Sequence, residues 1–261
     1  MTQAGTIYLV GAGPGDADLL TLRAARLLAA ADLIVHDGLV DRSILAVARP
    51  GATLISVAKS RSNHTMPQDA INALLVREAL AGRDVVRLKG GDPFIFGRGG
   101  EEAEAAHAAG VPVEVVPGIS AANGAAAAAQ IALTHRDASS IVSFVAGQCK
   151  GLSEQDWSGL AGKGRTLVIY MGLKTAPQIA EKLMADGVAP EVPVAVIENA
   201  ARPQMRVLRG VLAALPEIVS RERVATPALI VIGEVVARPQ AGDDLSTPDR
   251  QLAALALEAM R

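Results

Sequence analysis

Apolar residues recur along this chain in two alternating rhythms. Short runs at Thr6–Val10, Leu33–His36, Ala52–Val57, Asp84–Leu88 and Val113–Val116 have the length and aliphatic content of strands. Between them Asp18–Ala31, Gln68–Ala81 and Glu101–Ala109 carry apolar side chains at helical spacing, the second announced by Pro67. Strand and helix alternating at this pace predict a parallel sheet covered on both faces. Pro117-Gly118 then punctuates the chain, and Ser120–Ala129 reads as an Ala-rich helix whose small side chains permit close approach. A second set follows, with strands at Ile141–Val145, Thr166–Met171, Val194–Ile197, Val207–Arg209 and Ala228–Ile232 and helices at Pro177–Ala185 and Pro216–Arg221. Arg206–Gly210 suits one arm of a hairpin, so this second sheet is expected to be mixed. The reading is of two α/β domains, residues 1–117 and 118–237, each a central sheet flanked by helices, and a polar tail at 238–261. No internal repeat is evident.

Composition sharpens that outline. Half of the 261 residues are hydrophobic but only 2% are aromatic, so the cores are built from Ala, Val, Leu and Ile, as buried parallel strands under Ala-rich helices require. A net charge of −2 argues against a nucleic-acid footprint, and an anionic ligand must be met by local groups. The single cysteine, Cys149, excludes an intrachain disulfide and a thiolate metal cluster. With no apolar leader and no run approaching the ~18 residues of a membrane span, the chain is expected to be soluble and cytoplasmic.

The candidate chemistry lies in glycine-rich loops. Lys89-Gly-Gly-Asp-Pro-Phe-Ile-Phe-Gly-Arg-Gly-Gly-Glu101 places five glycines and a proline within thirteen residues, which fills no core and reads as a binding loop. Val10-Gly-Ala-Gly-Pro-Gly-Asp16, Val116-Pro-Gly-Ile-Ser-Ala121 and Thr134-His-Arg-Asp137 accompany it. The first has the setting of a dinucleotide turn, yet the third glycine of G-x-G-x-x-G falls on Asp16, and Pro14 removes a backbone donor. A pyrophosphate cofactor, and with it a nicotinamide-dependent oxidoreductase, is disfavoured. At the carboxyl edge of a parallel sheet, Asp92 can accept hydrogen bonds from an ammonium or a ribose hydroxyl, or can be a turn or helix-capping aspartate. Arg98 and Arg136 suit bidentate recognition of carboxylates or are solvated surface residues. Asp37 and Lys59 close the second and third strands, as a proton-shuttling pair or a strand-end ion pair. His64 and His135 are acid–base candidates by type alone, and no spacing supports a metal site.

These residues together resemble the tetrapyrrole methylase family. The likeness spans about residues 5–237 and rests on an ordered set: Val10–Asp16 with Leu19-Leu-Thr-Leu22, Gly90–Glu102, Val116–Ala121, Leu133–Asp137, Tyr170-Met-Gly172, Thr226-Pro-Ala228 and Gly233-Glu-Val-Val236. It implies two α/β domains with the active site in a trough between them, a homodimer, and a small-molecule tetrapyrrole partner. Within the family it is most similar to the branch that uses S-adenosylmethionine to C-methylate uroporphyrinogen III at two ring carbons, giving precorrin-2 for sirohaem and cobalamin synthesis. The alternatives are a later precorrin methyltransferase and a non-catalytic tetrapyrrole carrier. By the same resemblance Pro14, Gly90, Gly91, Asp92, Ile95, Ser120, Ala121, Met171 and Ala200 contact S-adenosylmethionine, largely through backbone atoms. Asp37, Lys59 and Arg98 fall on catalytic positions, and Glu101 and Arg136 on positions that handle substrate. Ser60, Ala125–Ala129, Gln130-Ile-Ala132 and Gln148 depart from the residues common in the family, which bears on substrate identity rather than fold.

Overall fold

The computed structural model describes residues 3–58, 66–148 and 156–238. Contacts divide the chain into two units, residues 1–125 with 199–205, and residues 126–198 with 206–261. The division falls inside the Ala-rich helix after Pro117, and a short segment distant in sequence joins the first unit.

In the first unit, strands β1 (Ile7–Gly11), β2 (Leu33–His36), β3 (Thr53–Ser56), β4 (Val85–Lys89) and β5 (Val113–Val116) form one sheet in the order β3-β2-β4-β1-β5, with all neighbours parallel. Helices α1 (Leu22–Ala30), α2 (Arg42–Leu45), α3 (Gln68–Leu80), α4 (Gly99–Ala108) and the start of α5 (Ala121–Ala128) belong to it. Strand alternation sends Ile7, Leu9, Leu33, Val35 and Val85 to the face packed by Ile71, Leu75 and Ala106 of α3 and α4. Val10, Ile34, Val86 and Leu88 go to the other face, against Ala24, Leu28 and Ile44 of α1 and α2. The sheet is therefore covered on both sides, which explains the near-continuous apolar runs.

The predicted helix over Asp18–Ala31 is two elements. Asp16 accepts from the Asp18 amide and caps a 3-10 turn at Ala17–Leu19, after which the Thr21 hydroxyl accepts from the Ala24 amide and starts α1. Helix α2 lay outside the sequence reading. It is a single turn capped by Asp41, too short for a period to show.

The second unit has the mixed sheet expected. Strands β6 (Ser139–Ala146), β7 (Gly164–Tyr170), β8 (Pro193–Glu198), β9 (Arg206–Val211) and β10 (Ala228–Ile232) run in the order β6-β7-β10-β8-β9, with β6 parallel to β7 and the remaining pairs antiparallel. The β8–β9 pair contains the predicted hairpin arm. Its core gathers Leu167, Ile169, Val194, Val196 and Ile230 with Trp157 and residues of α6 (Ala176–Ala185) and α7 (Leu215–Arg221). Among the described residues no helix is long and apolar enough to cross a membrane.

Candidate active site

In a parallel sheet all strands finish at one edge, so the loops after β1, β2, β4 and β5 of the first unit meet there. Backbone atoms join them. The Ala12 amide donates to the Lys89 carbonyl at 2.7 Å, and Gly13 and Gly91 exchange amide–carbonyl bonds of 3.1 and 2.8 Å. Gly118 of the β5 loop lies against both: a Cβ there would stand 2.3 Å from the Gly91 carbonyl oxygen and 2.7 Å from the Gly11 Cα. Gly91 itself has φ +70°, a conformation that glycine adopts without strain. Three glycine loops that are distant in sequence thus make one continuous backbone surface.

Asp92 fastens that surface. Its Oδ1 accepts from the Phe94 amide at 2.8 Å and its Oδ2 from the Gly118 amide at 3.1 Å, so the carboxylate is an Asx turn and a tie between the β4 and β5 loops. The turn aspartate, one of the two alternatives the sequence leaves open, is what the structure shows. A carboxylate oxygen has a second lone pair, which leaves each able to accept from a ligand. Beyond it Phe94, Ile95 and Phe96 are exposed in succession, an apolar flank beside the glycine backbone. Ser120 begins α5: its hydroxyl accepts from the Asn123 amide at 3.2 Å, so its side chain is occupied as a cap. Pro14 packs where a Cβ on Gly124 would fall, 2.4 Å from the proline Cγ. Ala200 reaches this unit through the 199–205 segment, which Arg202 anchors by donating to the Leu39 carbonyl at 2.5 Å and by lying across Gly15.

Of the nine residues expected to contact S-adenosylmethionine, eight therefore belong to the first unit. Met171 belongs to the second, at the end of β7, exposed and with φ +55°.

Charged groups at this edge are paired internally. Arg98 binds Glu101 through two bonds, Nε to Oε1 at 2.8 Å and Nη2 to Oε2 at 2.5 Å. That fork raises the arginine above its ordinary pKa and lowers the glutamate below its own. Arg98 is accordingly suited to act as a fixed cation rather than as a base. Asp37 has a partner among the described residues. Its Oδ1 accepts from Arg87 Nη2 at 2.5 Å, and Lys59 and His64 lie outside the described residues. Arg136 is exposed in the second unit, in the turn closed by the His135–Ser139 bridge, and His135 Nδ1 accepts from the Asp137 amide at 3.1 Å.

A buried cluster escaped the sequence reading. Arg87 and Lys89 point from β4 toward Glu102 of α4, whose Oε1 receives Arg87 Nε at 2.9 Å, Lys89 Nζ at 2.9 Å and Gln68 Nε2 at 3.2 Å. Burial, and then the neighbouring guanidinium of Arg87, push the Lys89 ammonium below its ordinary pKa.

The edge can be tested against the cosubstrate. It offers glycine backbone and exposed apolar side chains, and among the described residues Arg87 and Lys89 are held by carboxylates, Arg98 by Glu101 and Arg202 by a carbonyl through Nη2 alone, its buried Nε having no partner there. A nucleoside sulfonium carries no phosphate and calls for backbone donors and apolar contact of this kind, so it fits.

Known proteins place the chain in the same company. The family model for tetrapyrrole (corrin/porphyrin) methylases matches residues 6–216. Siroheme synthase of Azotobacter vinelandii is 52% identical over 233 residues, covering 89% of this chain and 50% of that protein. Siroheme synthase of Gluconacetobacter diazotrophicus is 50% identical over 234 residues, with 89% and 50% covered. The chain spans about half the length of these curated relatives. Among solved structures, uroporphyrin-III C-methyltransferase from Thermus thermophilus complexed with S-adenosylhomocysteine is 40% identical, covers 92% of this chain and 98% of its own, and superposes with a TM-score of 0.77. Cobalt precorrin-4 methyltransferase shares 25% identity at a TM-score of 0.79, with 90% and 96% covered. Knitted glycine loops on a parallel sheet, a mixed second sheet and a family match over most of the length all agree, and the chain belongs to the tetrapyrrole (corrin/porphyrin) methylases.

Proposed function

We propose that this chain is a uroporphyrinogen-III C-methyltransferase, transferring methyl groups from S-adenosylmethionine to two ring carbons of uroporphyrinogen III to give precorrin-2. The observation that carries this reading is the 40% identity, over nearly the full length of both chains, to a uroporphyrin-III C-methyltransferase crystallised with S-adenosylhomocysteine.

S-adenosylmethionine supplies, when bound, an electrophilic methyl group on a sulfonium. Gly90, Gly91, Asp92 and Ile95, with Pro14, Ser120, Ala121, Met171 and Ala200, hold it, mostly through main-chain atoms. Orientation is the chief requirement of such a transfer, and a backbone surface tied at several points supplies it. Arg98 and Arg136 take the carboxylates of the tetrapyrrole, Glu101 keeping Arg98 charged and aimed. Asp37, with Lys59, takes the proton that must leave after the carbon–carbon bond forms. Homodimeric assembly and a cytoplasmic setting complete the reading on the family resemblance, and sedimentation of the purified chain tests the first.

The deciding experiment is anaerobic incubation with uroporphyrinogen III and methyl-labelled S-adenosylmethionine, followed by mass spectrometry of the oxidised tetrapyrrole. Gain of two methyl groups is expected. Absence of label in the tetrapyrrole, with cosubstrate binding demonstrated separately, would overturn this substrate and favour a later precorrin.

A further inference from the structure

The cluster of Arg87, Lys89, Glu102 and Asp37 stands out because it is almost dry. The Arg87 and Lys89 side chains are 2% exposed and that of Glu102 is 0% exposed, while Asp37 at 29% reaches solvent at the carboxyl edge. Buried ion pairs of this kind are poor stabilisers, since apolar side chains of similar volume serve a core at least as well. What such charges do well is fix geometry.

Every arm of Arg87 is used. Its Nε meets Glu102 Oε1 at 2.9 Å, its Nη2 meets Asp37 Oδ1 at 2.5 Å, and its Nη1 lies 3.4 Å from the carbonyl oxygens of Val35 and Leu88. The guanidinium is a rigid plane, so these contacts set the position of Asp37 Oδ1 relative to α4 and the two central strands. Glu102 is itself held on the same oxygen by Lys89 and Gln68. The Asp37 amide donates to the Leu88 carbonyl at 3.2 Å, which fixes its backbone as well. With Oδ1 taken, Oδ2 is the oxygen of Asp37 that no described side chain claims.

We infer that Arg87, held from behind by Glu102, is a positioning residue for Asp37, fixing one carboxylate oxygen so that the other faces the reacting tetrapyrrole. The inference rests on the proposed function and on the proton-handling role it gives Asp37. Arg87 touches neither substrate nor cosubstrate in this scheme and acts through Asp37 alone.

The test is a double-mutant cycle on the full chain once its methyl transfer to uroporphyrinogen III is measured. Asp37→Asn is expected to lower kcat on the order of 100-fold, as removal of a general base does. Arg87→Lys keeps the charge but loses the planar fork and is expected to lower kcat at least tenfold, as a misplaced catalytic group does. The KM for both substrates should stay within about twofold, because the loss falls on alignment rather than on binding. The double variant should be no slower than Asp37→Asn alone. Losses that multiply would overturn the inference, because Arg87 would then be acting independently of Asp37. Full activity of Asp37→Asn would overturn the role given to Asp37, and with it the inference, while leaving the methyltransferase reading intact. If Arg87→Lys does not fold by circular dichroism, Glu102→Gln, which preserves shape, replaces it in the same cycle with the same expected and overturning results.

Discussion

Replacing Gly118 with alanine tests whether the three glycine loops are one object. The added Cβ would sit 2.3 Å from the Gly91 carbonyl oxygen, 2.7 Å from the Gly11 Cα and 2.9 Å from the Gly11 carbonyl carbon, all main-chain atoms with no rotamer by which to escape. Ordinary contact begins at 3.4 Å, so the Gly91 carbonyl must retreat by 1.1 Å. That oxygen accepts from the Gly13 amide, and the Gly118 amide donates to Asp92, so relief of the clash disturbs two hydrogen bonds. Overpacking costs about 1–3 kcal/mol and each of the two disturbed bonds about 0.5–1.5 kcal/mol, which together give about 2–6 kcal/mol. For a chain of this size, at about 2–4 °C per kcal/mol, that lowers Tm by roughly 4–24 °C. Thermal unfolding followed by far-ultraviolet circular dichroism measures it, alongside S-adenosylmethionine binding by calorimetry, which should weaken. Gly100→Ala is the control. It lies in α4, nothing stands within 4 Å of its Cβ, and alanine there should raise stability by about 0.5 kcal/mol or more. A Gly118→Ala protein with unchanged Tm and unchanged affinity would refute the account of a rigid, jointly built backbone surface.

Three further outcomes are expected. Asp92→Ala frees the amides of Phe94 and Gly118 and should weaken S-adenosylmethionine binding on the order of tenfold by calorimetry, with Asp92→Asn losing less because its amide oxygen can still accept. Arg136→Ala should lose methyl transfer on the order of tenfold or more with cosubstrate affinity unchanged, and equal loss of both would instead implicate folding. Lys89 is held below its ordinary value of 10.5 chiefly by burial, so above the lowered value the unfolded chain binds the extra proton. Its contribution therefore raises stability as pH climbs toward 10.5, and urea titrations across that window should show a slope that Lys89→Met reduces.

How much of this was written in the sequence varies with the physical signal. Both sheets were legible because their strands are apolar on both faces or alternate cleanly, and the parallel order of the first follows from helices long enough to cross over. The loops were legible because glycine and proline clusters have few structural uses. Their joining was not: that Gly118 abuts Gly11 and Gly91 depends on β5 pairing with β1 on one side while β4 pairs on the other, a fact of topology rather than of any local run. The buried charges were missed for a different reason. Charged residues are usually solvated, so the residue types alone do not mark Arg87, Lys89 or Glu102 as buried. One signal was available. Two cations two residues apart share one face of a strand, and a strand of a parallel sheet covered on both faces has little solvent on either face to receive them. Such a pair demands a buried carboxylate, and Glu102 answers it. Asp37 follows by the same logic, because a guanidinium whose Nε is taken by Glu102 still presents a second edge toward the neighbouring strand end. The departure from ordinary patterning in β4 therefore lies beside the carboxylate proposed to handle the proton, which is where a sequence has reason to keep polar groups that the core alone would not retain.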